Sequence, residues 1–314
     1  MGTDFTAFGL SLRSEFPLPG LAPGEDPRLP RRALELVSDE VLAKAWSGPV
    51  SSSAWRGRLR DGAELAIRWG RDGDLLFGYG EHARYLLDAG AERMLCSAAD
   101  VASLGWQRVL LSRVLPVVAI AHGYEALHAA AVETPAGVVA ILGASGAGKS
   151  TLAAELVRRG HRLFGDDVLV LGRSGDLLLA HPGSPHLSLA AGGEQDLDAE
   201  VLGELGGKLW ATAEKAAQAP APVAAIAVLE RGEGPVEAVD LAPSPLALAP
   251  FMLGLPDDEG RDAPRFTLYA DLVEASRLLR LSGSAEAPAW EFAEALERAV
   301  PAPAAAGTAI GAGR

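Results

Sequence analysis

Residues 127–171 read LHAAAVETPAGVVAILGASGAGKSTLAAELVRRGHRLFGDDVLVL, and this stretch decides the fold. Val138–Leu142 is a continuous apolar run, of the length and kind expected for a strand covered on both faces. The octet that follows, GASGAGKS over Gly143–Ser150, fits G-x-x-x-x-G-K-[ST]. Thr151–Arg159 has the spacing of an amphipathic helix, which Gly160 ends. Arg162–Phe164 begins another strand, and Asp166-Asp167 stand just past it. Strand, glycine loop, helix and strand together read as a phosphate-binding βαβ unit.

The order of residues in the octet has a chemical reason. Gly143, Gly146 and Gly148 allow backbone N–H groups to turn inward as an anion nest, with Ala144, Ser145 and Ala147 between them. The helix beginning at Ser150 aims its positive end at the same phosphates. Lys149 is expected to bridge the β- and γ-phosphates of a nucleoside triphosphate, and the Ser150 hydroxyl to ligate Mg²⁺. Thr151 can add a hydroxyl to the α- or β-phosphate. The competing reading is a glycine-rich turn before an ordinary helix. Composition counts against it, because the chain has only Lys44, Lys149, Lys208 and Lys215 with which to meet a motif that demands lysine.

Two features flank the loop. If Thr134–Gly137 closes a hairpin, Glu133 pairs with Val138, and counting outward sets His128 opposite Gly143. His128 is then either an active-site imidazole or a satisfied structural histidine. A right-handed crossover puts the carboxyl end of the strand before Asp166-Asp167 on the same side as the loop. Both acids then approach the γ-phosphate region, where a cation would offset their repulsion. Consecutive side chains on a strand point opposite ways, so only one of the two has to face the site. The alternative for the pair is a solvated turn. The other five histidines read as surface or loop residues.

Further out, Ala54–Arg60, Glu64–Trp69 and Asp74–Tyr79 alternate apolar and polar residues between turn signals, which predicts antiparallel strands. Arg32–Trp46 reads as a short helix, and Leu104–Gly123 as a longer one that connects two domains or packs beneath the second. Val223–Leu229 reads as a core strand and Pro288–Ala299 as a terminal helix. The expected architecture is α/β. A small, mostly antiparallel β domain over 1–103 precedes a P-loop domain of mixed sheet and flanking helices over 104–300, with a disordered tail over 301–314.

The chain of 314 residues has a formal net charge of −13, which argues against a broad nucleic-acid-binding face. Cys96 is the only cysteine, so no internal disulfide can form, and a buried inert thiol in a reducing cytoplasm is expected. The N-terminus has no secretory pattern. The most apolar stretch, Val114–Ala121, falls far short of the ~20 residues of a membrane helix, so no membrane partner is expected.

The quoted stretch resembles the catalytic domain of bacterial HPr kinase/phosphorylase. It shares a histidine on the strand before the loop strand, the G-x-x-x-x-G-K-S octet, a helix ending in Arg-Gly-His, and an Asp-Asp pair. The resemblance implies an HPr-kinase-type fold, ATP and Mg²⁺, and transfer of the γ-phosphoryl group to a serine of a peptide or protein. It makes Asp166 the base, sets Asp167 with Ser150 near the metal, and makes His128 the active-site histidine. It also implies a homo-oligomer. The opening FGLSLRSEFPLPGL with the β-rich first domain is closer to HPr-kinase-related proteins, some encoded with lasso-peptide biosynthesis genes, which phosphorylate a precursor peptide's serine. The regulator family's Glu-x-Arg-Gly signature is missing; AHPGSPHLSLAAGG stands in its place, so recognition of the HPr protein and the reverse phosphorolysis are not carried over. Lys208 is a replacement phosphate contact or a surface lysine. Other readings are a small-molecule (serine or sugar) kinase and a non-transferring nucleotide switch, for which AAIAVLE ending at Glu230 would supply the acid.

Overall fold

The computed structural model describes residues 2–50, 55–59, 61–190, 199–255 and 259–302. The first half forms strands β1 (Thr3–Ala7), β2 (Leu10–Ser14), β3 (Arg31–Leu36), β4 (Trp55–Arg58), β5 (Glu64–Trp69), β6 (Leu75–Tyr79), β7 (Ala83–Leu87) and β8 (Arg93–Ala98). They make one sheet in the order β1-β2-β3-β8-β7-β6-β5-β4. Most neighbours are antiparallel, but β3 runs parallel to both β2 and β8. The helix expected over Arg32–Trp46 is in fact two elements. Arg32 and Leu34 alternate inward, as the middle of a sheet requires, so the first part is β3. Ser38 then caps a short helix α1 (Asp39–Ala45), its hydroxyl accepting from Val41 N–H.

Leu104–Ala121 is one long helical rod in three parts: α2 (Leu104–Val109), a π-helical turn over Leu110–Val114, and α3 (Leu115–Ala121). Pro116 explains the wide turn, since it has no N–H to donate back and its ring crowds the preceding turn. By length and composition alone this helix could cross a bilayer. Here it is largely buried: Trp106, Leu110, Val114 and Val118 pack in one cluster with Phe77, Tyr85 and Met94 of the first sheet. Ala126, Val168, Val170 and Trp210 of the second half belong to the same cluster, so the rod is a core element shared by both halves.

Among the described residues the second half holds three sheets. The largest, in the order β12-β10-β11-β18-β21-β19, uses β10 (Ala130–Thr134), β11 (Gly137–Gly143), β12 (Arg162–Gly165), β18 (Val223–Gly232), β19 (Glu237–Asp240) and β21 (Arg277–Ser284). β11, buried from Val138 onward, lies parallel to β18, which is parallel to β21. Between them the helices α4 (Lys149–Arg158), α5 (Asp262–Ala275) and α6 (Ala289–Ala299) cover the sheet. A second sheet, β14-β13-β9-β20, is built from β9 (Glu125–Leu127), β13 (Leu169–Ser174), β14 (Leu177–His181) and β20 (Met252–Leu253). The third, β15-β17-β16, joins His186–Leu189, Lys208–Ala213 and Ala199–Leu205.

The β10–β11 hairpin has the predicted register, with Glu133 opposite Val138 and Ala130 opposite Ile141. Pairing stops there. The strand that the hairpin count carries back to His128 breaks at His128-Ala129 because the chain leaves for a different sheet, where Leu127 pairs with Leu169 and Met252. His128 is therefore not opposite Gly143. The crossover also differs in detail, since β12 pairs antiparallel to β10 on the far side from β11. With β10 antiparallel to both neighbours, β12 and β11 still point the same way. The residues after Gly165 thus emerge on the side of the loop.

Candidate active site

The loop Gly143–Ser150 leaves β11 and enters α4 through three glycines with positive φ: 152° at Gly143, 87° at Gly146 and 99° at Gly148. These are conformations that side chains rarely adopt. A Cβ on Gly143 would stand 2.8 Å from the Leu229 carbonyl oxygen, so β18 closes in on the loop from below. The N-terminus of α4 carries no side-chain cap. A helix N-terminus of this kind presents its first N–H groups and its positive end toward an anion, which is what a phosphate site requires. Lys149 is nearly buried, and its Nζ donates to the carbonyl oxygens of Gly143 and Ala144 at 2.9 and 3.3 Å.

Asp166 and Asp167 sit in a bend beyond β12, not on a strand. The strand rule that only one side chain faces the site therefore does not apply. Asp167 takes φ 72°, a left-handed conformation that Asp tolerates at a cost of about 1 kcal/mol or more. That turn lets the Asp166 side chain meet the loop while Asp167 faces the cleft. Asp166 Oδ1 accepts from the Ser150 hydroxyl at 2.9 Å and from Asp167 N–H at 3.0 Å, while Oδ2 accepts from Ser188 N–H at 3.0 Å. Burial, and then the Asp167 charge beside it, pushes the Asp166 carboxyl up to about 6, against the three hydrogen bonds that favour its anion. Asp167 Oδ2 lies 3.5 Å from an Arg113 guanidinium nitrogen.

His128 reaches the site by a different route from the one the hairpin count predicts. Its backbone N–H donates to Phe251 O, and its Nδ1 lies 2.8 Å from Asp167 O. A carbonyl only accepts, so Nδ1 carries the proton, which leaves Nε2 as the basic nitrogen. Burial and the nearby Lys149 charge lower the His128 pKa, so the ring is neutral near pH 7.

Most of these residues line one cleft of about 750 Å³, while Asp166 stands just behind its wall, reached through Ser150 and Ser188. Its polar end includes Ser145, Gly146, Gly148, Lys149, Ser150, Thr151, His128 and Asp167. Arg108 and Arg113 of the long helix and Ser188, which have no role assigned from sequence, are on the same wall, together with Lys208. Ser188 is a hub, its N–H on Asp166, its hydroxyl accepting from Arg108 at 3.1 Å and its carbonyl from Lys208 Nζ at 3.3 Å. Lys208 is therefore on the cleft wall and not simply a surface lysine. Arg108 and Arg113 are five residues apart, about 140° around a regular helix; an intervening π-turn, which closes every five residues, accounts for both facing the cleft. No linear motif signals them.

Behind the loop, Arg231 donates to Ala147 O at 3.2 Å and Ala287 O at 2.7 Å and lies 4.0 Å over the Phe292 ring. It ties the loop to the start of α6. Its neighbour Glu230 is exposed and off the cleft wall.

The residues fit ATP with Mg²⁺. Among the described residues no three His, Cys, Asp or Glu side chains converge on a metal position. Mg²⁺ does not need such a cage, since it takes one or two carboxylates and completes its shell with phosphate oxygens, hydroxyls and water. Ser150 Oγ and Asp166, already in contact, with Asp167 adjacent, are such a set.

Residues 121–186 match the family described as HPr Serine kinase C-terminal domain. The chain is similar to the HPr kinase/phosphorylase of Prosthecochloris aestuarii, with 41% identity over 61 residues, 19% of this chain and 18% of the relative. It is similar to that of Exiguobacterium sibiricum at 48% identity over 54 residues, 17% of each chain. The alignments thus span less than a fifth of these relatives' length. A solved structure, the HPr(Ser) kinase/phosphatase from Coxiella burnetii, aligns with 55% of this chain and 95% of its own at 13% identity and a TM-score of 0.28. The matched stretch contains the loop, α4, His128 and the Asp pair.

Proposed function

We propose that this chain is an ATP-dependent kinase that transfers the γ-phosphoryl group to a serine hydroxyl of a peptide or protein. The observation that carries the reading is the 2.9 Å contact from Ser150 of the phosphate loop to Asp166. It brings a carboxylate with a raised pKa to the place where a triphosphate would end. The HPr kinase matches over the same residues support the same chemistry.

In this reading the loop N–H groups from Gly143 to Thr151 and Lys149 bind the β- and γ-phosphates and stabilise charge as the phosphoryl group moves. Ser150 and Asp167 would hold Mg²⁺, which would supply further charge neutralisation. Asp166 takes the proton of the acceptor hydroxyl, the bond from the acceptor oxygen to phosphorus forms, and ADP leaves with the β–γ bridging oxygen. The three donors on Asp166 fix its direction. His128, neutral and anchored through Nδ1, orients the Asp167 peptide.

A ribosomally made precursor peptide is the acceptor class we favour, on the resemblance of FGLSLRSEFPLPGL to the HPr-kinase-related group. We further propose that the enzyme works in the cytoplasm as a homo-oligomer. The test is incubation with γ-labelled ATP, Mg²⁺ and serine peptides encoded by neighbouring genes, read by mass spectrometry. Phosphoserine formed only with Lys149 intact is expected. ATP hydrolysis with no phosphorylated acceptor would favour the nucleotide switch, and phosphorylation of free serine or a sugar the small-molecule kinase.

A further inference from the structure

The cleft continues beyond the groups that the phosphoryl transfer uses. From Arg113, at Asp167, the long helix presents Val117 and Ile120 at the four- and seven-residue spacing of one face. On the next wall Leu253 of β20 follows Phe251, whose carbonyl holds His128 N–H. The third wall is one face of the β4–β5 pair, where Trp55 is opposite Ile67 and Gly57 opposite Leu65. The Trp55 ring lies folded over Gly57: a Cβ there would stand 2.6 Å from Trp55 Cη2. Only glycine leaves room for it. Trp55 is 48% exposed, an aromatic plate open to the cleft.

The walls named here are apolar where the phosphate end is charged, so the phosphates have no use for them; a nucleobase stacked on Trp55 is the rival occupant, and loss of Mg-ATP affinity in the Trp55 variant below would favour it. Among the described residues two end strands flank the slot, β4 of the first sheet and β20 of the second. Each offers backbone donors and acceptors to an extended chain, as edge strands do. We infer that this slot selects the acceptor: an extended peptide whose serine is followed or preceded by a bulky apolar side chain, seated between Trp55, Ile67, Val117, Ile120 and Leu253. The inference rests on the kinase reading for what is done to the serine, but not for what is bound. Burying one leucine-sized side chain is worth enough to separate good from poor acceptors by tenfold or more, at about 1.5–3 kcal/mol.

The probe is a set of fluorescent serine hexapeptides that carry leucine, glycine, aspartate or lysine beside the serine. They are titrated by polarisation into the full chain, and also into its Asp166→Asn form to separate binding from chemistry. The leucine peptide should bind both at least about tenfold more tightly than the glycine peptide. Trp55→Ala and Val117→Glu should each erase that difference while Mg-ATP affinity stays within about twofold, which also shows that the variants fold. Equal binding of all four peptides overturns the slot, as does a leucine preference that survives in both variants. Leucine-selective binding with no phosphate transfer by the wild-type chain upholds the slot and sinks the kinase reading. Transfer at equal rates to every peptide does the reverse.

Discussion

The Asp166 carboxyl combines two properties that rarely coincide: three hydrogen bonds that fix it and a pKa pushed up to about 6. A base must be ionised to act, so transfer should fall about tenfold per pH unit below that value and level off above it. Mg²⁺ favours the anion, so raising Mg²⁺ should move the acid limb to lower pH; a limb that ignores both Mg²⁺ and Asp166→Asn would belong to another group. His128 is the natural rival, with a neutral ring and a basic Nε2. We expect His128→Ala to cost ~10–100-fold in turnover through loss of its hold on Asp167, against ~100-fold or more for Asp166→Asn. If His128→Ala is the more damaging and removes the acid limb, the base is His128. At this scale the sequence revealed the octet, the Asp pair and the histidine, because each is a spacing between neighbours. It hid Ser188, Arg113 and Arg108, whose roles come from contacts across 22, 54 and 80 residues of chain.

Among the elements, the phosphate loop is held in shape from two sides. Gly148 has φ 99° and, with a Cβ, would stand 3.2 Å from the Arg231 guanidinium. Gly148→Ala should therefore strain both the loop and its brace, lowering ATP affinity by about tenfold or more, whereas Gly62→Ala, with positive φ but open space, should leave it alone. Arg231→Ala removes two hydrogen bonds and the contact with Phe292, and calorimetric titration should show ATP affinity reduced by ~3–10-fold. Affinity unchanged in Arg231→Ala would mean that β18 and β11 shape the loop alone. Element types were readable where the local pattern was strong, a continuous apolar run in β11 and helical spacing in α4 and α6. Arg32–Trp46 misled because a strand and a one-cap helix abut at Ser38 within a window that averages to helix. His128 misled in a similar way: the hairpin count was right to Ala130, but one chain serves two sheets there, and no local signal marks the change.

In the whole molecule, the two halves are joined by more than a linker. The long helix, β13 and Trp210 share a core with the first sheet, so a fragment beginning at Leu104 would expose Trp106, Leu110, Val114 and Val118. Such a fragment should aggregate, and a soluble, monomeric, cooperatively melting product on gel filtration would contradict the shared core. The sequence suggested a β-rich first part and a phosphate-binding second part, but the cleft between them was invisible, because it is made of Trp55, Ile120 and Leu253 at separations no motif spans. What we propose is one site that both binds the nucleotide and moves its γ-phosphoryl group to serine. Its most direct test is a paired measurement on Asp166→Asn, with Mg-ATP affinity by titration calorimetry and phosphoserine formation by mass spectrometry. Affinity should stay within about threefold of wild type and transfer should fall by ~100-fold or more. Affinity and transfer lost in equal measure, or transfer undiminished, would contradict the proposal.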